Sequence, residues 1–145
     1  MSKAKVHGLG GLFFKAKDPE SLGRWYAEHL GMPVLPWGGA VLEWQRRDPA
    51  PEPRLQHGYT VWGPFKPDTE YFQPSQKDYM INLRVDDLDA MLAQLREAGA
   101  QVLDRREDCE NGQFGYVLDP EGTLIELWQP SADDPGLQEN EGGGE

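Results

Sequence analysis

Met80-Ile81-Asn82-Leu83-Arg84-Val85-Asp86-Asp87-Leu88 alternates apolar and polar residues, then turns through two acids into a helical pattern. The alternation predicts a strand with Ile81, Leu83 and Val85 on a buried face, under a helix, and Met80, Asn82 and Arg84 on the other. A helix around Leu88, Met91, Leu92 and Leu95 follows, stops at Gly99 and returns to a strand at Gln101-Val102-Leu103. The same plan stands earlier in the chain. Leu12–Ala16 reads as a strand, Asp18-Pro19 as a helix start, Leu22, Trp25, Tyr26 and Leu30 as the helix, and Gly31-Met32-Pro33-Val34 as its exit. In both copies the turn acid (Asp18, Asp86) precedes the helix-ending glycine (Gly31, Gly99) by 13 residues. The copies close on Thr60-Val61-Trp62 and Glu126-Leu127-Trp128. A period near 68 residues is too long for a solenoid repeat. It predicts two small modules about one core, with a cupped cavity between them.

Working outward, module one covers 6–65, a linker 66–78, and module two 79–130, together a single domain over 1–130. In module one, Leu12, Phe14 and Ala16 share one strand face, with Gly11, Phe13 and Lys15 on the other. Further strands are expected at Ala40–Arg46 and Gly58–Phe65. The run Asp48-Pro49-Ala50-Pro51-Glu52-Pro53 between them reads as a loop, since proline cannot serve a sheet interior. Lys66–Asp78, with Pro67 and Pro74, is expected to link the modules over the surface. In module two, Phe114–Leu118 and Thr123–Trp128 read as strands about the Asp119-Pro120-Glu121-Gly122 turn. Each module is thus βαβββ, with a helix on one sheet face and a cavity on the other. The fold class is α+β, a cupped mixed sheet with helices outside.

The net charge of −11 opposes nucleic-acid binding, which needs clustered Lys and Arg. Five of the negative charges lie in Ser131–Glu145, a tail with almost nothing apolar that is expected to be disordered. No apolar run approaches the ~18 residues of a membrane span. The N-terminal Met1–Lys5 leads into glycines rather than an apolar signal core. The single cysteine, Cys109, forms no internal disulfide, and a cytoplasmic setting is expected. It sits in the acidic run Glu107-Asp108-Cys109-Glu110, unlike the surroundings of a nucleophilic thiol.

Two such modules, with the closing Asp119-Pro120-Glu121-Gly122 turn and the Ile125-Glu126-Leu127-Trp128 strand, resemble the vicinal oxygen chelate superfamily. That group includes glyoxalase I, bleomycin-resistance proteins and extradiol dioxygenases. The resemblance spans about residues 6–130 and implies a metal site on the concave face, with a His on the first strand and an acid on the last strand of each module. Carried over here, the first-strand positions hold Gly11 or Leu12 and Tyr79 or Met80. The last-strand positions hold Thr60 and Glu126. Only Glu126 matches, and one carboxylate cannot form a catalytic metal site, which takes about three protein ligands. No metal or other cofactor is expected. The alternative is a shifted divalent-metal site from His7, Glu43 and Glu126, serving a lyase, isomerase or dioxygenase.

On that geometry the cavity is lined by Phe13, Lys15, Thr60, Trp62, Met80, Asn82, Arg84, Glu126 and Trp128. The aromatic members offer flat walls for a planar ligand. Asn82 and Thr60 offer hydrogen bonds, and Glu126 is a candidate general acid or base. The expected function is a small-molecule binding protein of the bleomycin-resistance kind, or a metal-independent enzyme. The expected assembly is a homodimer, since exposed sheet edges invite pairing.

Overall fold

The computed structural model describes residues 4–48 and 54–132. The expected disorder of the tail beyond Ala132 and the proline loop at 49–53 lie outside them. In chain order the elements are β1 (Val6–Lys15), α1 (Pro19–Leu30), β2 (Ala40–Asp48), β3 (Arg54–Phe65), β4 (Tyr79–Val85), α2 (Leu88–Glu97), β5 (Gln101–Cys109), β6 (Gly112–Leu118) and β7 (Leu124–Pro130). The strands form one open mixed sheet in the order β2-β3-β1-β4-β7-β6-β5. Its centre is the antiparallel pair β1/β4, which joins the two halves of the chain edge to edge. On either side lies a parallel pair, β1/β3 and β4/β7, so each half repeats the other about the central seam. In the first half the strand after the helix shrinks to one bridge, Val34–Ala40.

Local chemistry sets the helices. Asp18 caps α1 by accepting from the Ser21 N–H at 3.2 Å, with Pro19 in the first turn. Gly31 (φ 69°) and Gly99 (φ 84°) take the left-handed conformation just past each helix end, where a side chain would be strained. The cap of α2 is Asp87, not Asp86, and it accepts from Ala90 N–H at 3.0 Å. That one-residue difference makes the structural repeat Asp18 to Asp87.

The two helices are unequally buried. Leu88, Met91 and Leu92 of α2 pack with Val85, Val117, Ile125 and Leu127 into the main core. Ile81 and Leu83 lie against this cluster, as the alternation of β4 predicts. In α1 only Gly23 is buried, and Trp25 and Leu30 of its apolar pattern are 51% and 63% exposed.

The linker departs most from expectation. Most of it is exposed, as expected, but its middle turns inward: Phe72 is 1% exposed and packs with Met80, Tyr116 and Leu124 on the concave side of the sheet. Ser75 Oγ donates to the Gly122 carbonyl at 2.6 Å, fastening the segment to the β6–β7 turn. Burial of Phe72 repays the ordering of this segment, since a large aromatic side chain removes extensive apolar area from water. Among the described residues no helix is long and apolar enough to cross a membrane.

Candidate ligand-binding cavity

Strand pairing decides which side chains meet on the concave face. Asn82 on β4 lies level with Glu126 on β7, and Glu126 level with Tyr116 on β6. Asn82 Nδ2 donates to Glu126 Oε1 at 2.7 Å, and Tyr116 OH donates to Oε2 at 2.6 Å. The linker brings a third donor, Tyr71 OH, to the same Oε2 at 2.7 Å. The two phenols stand 3.1 Å apart. Glu126 is 3% exposed, and the three donors replace the water a buried carboxylate loses. The pKa of both phenols is pushed up, first by burial and then by the negative charge of Glu126. They therefore stay protonated and keep donating. The Arg105 guanidinium lies over the rings of Tyr71 and Tyr116, at 4.4 and 4.1 Å from their centroids.

Above this cluster opens a cavity of about 370 Å³. Phe13, Val61, Phe65, Phe114, Tyr59 and Trp128 wall it, and Gly10, Tyr71, Asn82 and Glu126 also line it. Glu107, Cys109 and Asn111 complete the lining. Phe114 and Trp128 stack at 5.6 Å, giving one flat wall. Asn82 is 2% exposed, and its Oδ1 has no hydrogen-bond partner among the described residues. Its orientation follows from Glu126: a carboxylate accepts only from the amide nitrogen, so the oxygen must point away. It points toward Gly10, where an added Cβ would come within 2.1 Å of Oδ1 and 2.9 Å of the Trp128 ring.

Of the expected lining, Phe13, Asn82, Glu126 and Trp128 face this cavity. Thr60 and Trp62 do not. Trp62 packs on Tyr26 of α1 at 4.6 Å and on Phe14, the helix side of the sheet. Thr60 accepts from Trp44 Nε1 at 2.8 Å and donates to the Leu9 carbonyl. The two closing tryptophans are not equivalents. Phe13 pairs with Gly63 as Asn82 pairs with Glu126, so Gly63 matches Glu126, Phe65 matches Trp128, and Trp62 matches Ile125. An odd-residue slip moves every side chain of a strand to the opposite face. Lys15, at the end of β1, is outside the lining. Met80 is fully buried beneath Phe72 and fills the floor instead. Arg84 is 3% exposed, held among the rings of Trp128, Tyr59 and Trp44 at 4.7, 5.3 and 5.4 Å.

The shifted metal set is not assembled. His7 lies in a different cavity, with Arg46 and Arg84, and Glu43 is exposed on β2 level with Tyr59. Among the described residues no three His, Cys, Asp or Glu side chains are grouped to hold an ion. Both oxygens of Glu126 already serve protein donors, and the repeat positions of Asn82 and Glu126 in the first half are Phe13 and Gly63. This donor set does not fit a divalent metal. Cys109 ends a strand rather than lying in a loop, and is exposed at the cavity rim.

The sequence reading missed Tyr71, Tyr116 and Arg105. Tyr116 carried a signal, since it alternates with Phe114 on a strand that pairs with the Glu126 strand. Tyr71 carried a weaker one: adjacent aromatics, Tyr71-Phe72, are costly to leave in a solvated linker.

Known structures share this architecture. The methylmalonyl-CoA epimerase of Mycobacterium tuberculosis is 20% identical, covers 95% of each chain and superposes with a TM-score of 0.54. A variant of the Streptomyces coelicolor methylmalonyl-CoA epimerase in complex with 2-nitronate-propionyl-CoA is 18% identical, over 88% of this chain and 100% of that one, with a TM-score of 0.59. A glyoxalase/bleomycin resistance protein/dioxygenase superfamily member from Vibrio splendidus is 14% identical over 84% and 99%, with a TM-score of 0.53. No curated protein matches by sequence. These likenesses establish the fold, and the sequence model of the glyoxalase-like domain matches residues 11–128, so the chain belongs to the glyoxalase-like family.

Proposed function

We propose that this protein binds a small planar aromatic molecule in the concave cavity without a metal ion. The observation that carries the reading is the state of Glu126: its oxygens are engaged by Asn82, Tyr71 and Tyr116 at the base of an aromatic-walled cup. A carboxylate so engaged serves as the fixed keystone of a binding surface, whereas a general base needs reach to a substrate proton. A volume of about 370 Å³ suits a molecule of one or two rings. Stacking on Phe114 and Trp128 supplies affinity, and Asn82 Oδ1 selects a ligand with an N–H or O–H donor at its edge. The S. coelicolor neighbour, in complex with 2-nitronate-propionyl-CoA, supports ligand binding by this scaffold in general terms.

The test uses indole and 1-methylindole, flat probes that differ in one donor. Calorimetry should show saturable binding of indole, about tenfold tighter than that of its methylated counterpart. If neither probe nor any other planar aromatic in a fragment set binds, the reading is wrong. We also read the protein as a cytoplasmic homodimer. Trp25, Leu30 and Trp37 are apolar side chains of the first half that remain more than half exposed, which supports association. Sedimentation at micromolar concentration should return twice the chain mass, and a single-chain mass would refute the dimer.

A further inference from the structure

A second cavity, of about 350 Å³, lies beyond Arg84 from the first. Its lining includes His7, Arg46, His57 and Arg84, with Gln56 and Gln129. In a chain of net charge −11, such a gathering of basic side chains concentrates positive potential in one place and attracts an anion. Among the described residues the one acid lining it is Asp86, whose Oδ1 accepts from the Lys5 N–H at 3.3 Å.

The donors are held in place. Arg84 is 3% exposed, and the rings around it cover a guanidinium's flat sides but satisfy none of its N–H groups. His7 Nδ1 is buried with no hydrogen-bond partner among the described residues. Gln129 Oε1 accepts from Leu88 N–H at 2.7 Å, which leaves its amide nitrogen as the group able to donate to an occupant. Arg46, Gln56 and Arg84 also engage other groups of the protein, so an occupant would add to those contacts.

We propose that this cavity binds a small oxyanion, a phosphate or carboxylate group, through Arg46, Arg84 and the imidazole of His7. Planar guanidinium forks match such an anion with paired, charge-assisted hydrogen bonds. Burial and the charges of Arg46 and Arg84 hold the imidazole below its ordinary pKa of 6.5, against an opposite pull from Asp86. His57 is the remaining titratable group of the lining. A bound anion offsets the two guanidinium charges and favours the imidazolium, so affinity rises as pH falls.

The experiment titrates the full chain with inorganic phosphate and, separately, with acetate, at constant ionic strength in chloride. Calorimetry reads the affinity, and NMR reads the histidine ring signals. Saturable one-to-one binding with a shift of the His7 ring and an upward move of its pKa is expected. Arg46→Gln should weaken binding about tenfold, the loss of one charge-assisted bond. His7→Gln, read the same way, serves if the first variant melts at a lower temperature. Preference between the two arms tells phosphate from carboxylate. A non-saturating response, or phosphate affinity unchanged in both variants, would overturn the proposal.

Discussion

Glu126 shows how one buried charge organises its surroundings. Replacing it with Gln keeps the shape but turns one acceptor oxygen into a donor, which must then face Asn82 Nδ2 or the two phenols. Glu126→Gln should lower stability by about 2–4 kcal/mol, read from urea unfolding at pH 7. The phenols give a pH signature. Tyr71 and Tyr116 are both raised above 10.0 in the folded state, so the native protein holds protons that the unfolded chain releases. Their stabilising contribution is complete below about pH 10 and declines as pH climbs beyond it. Tyr116→Phe should lose about 1 kcal/mol at pH 8 but show a flatter alkaline decline, measured as melting temperature from pH 8 to 11. An identical decline in both proteins would mean that other groups govern it.

At the scale of elements, the two helices look alike in sequence and differ in burial. Leu88 opens α2 at 0% exposure inside the main core, whereas Leu30 ends α1 at 63%. Leu88→Ala should cost about 2–5 kcal/mol, and Leu30→Ala under about 0.5 kcal/mol, in matched denaturant melts. The strand β4 was legible because its alternation is strict, and Ile81, Leu83 and Val85 do lie on the helix side. The strand β3 was misread because Trp62 and Trp128 invited alignment on a shared residue type. The pairing of Phe13 with Gly63 sets the true register. Residue type is a poor guide to strand face when both faces are covered, because apolar side chains then suit either side.

For the whole molecule, the joining of the halves through β1 and β4 places the cavity lining on one concave face, and among the described residues it groups no three His, Cys, Asp or Glu side chains that could hold an ion. Zinc, nickel and ferrous titrations should therefore show no stoichiometric binding that Glu126→Ala abolishes. Binding at one ion per chain, lost in that variant, would restore a metal-dependent reading.

The sequence alone determined that the plan repeats, the start of α1 at Asp18, the helix-ending glycines, the faces of β4 and β7 and the inward position of Glu126. Each of these depends on period, on turn chemistry or on residues close in the chain, and such signals are local. Tertiary structure decided what Glu126 touches. Tyr71 arrives from a linker 55 residues away in the chain and Tyr116 from the neighbouring strand of the sheet. The linker folds inward because burying Phe72 over Met80 gains more than solvating it, a balance set by the shape of the opposite surface. Arg84 met its aromatic box for the same reason: three rings from β2, β3 and β7 converge only when those strands take their places in one sheet.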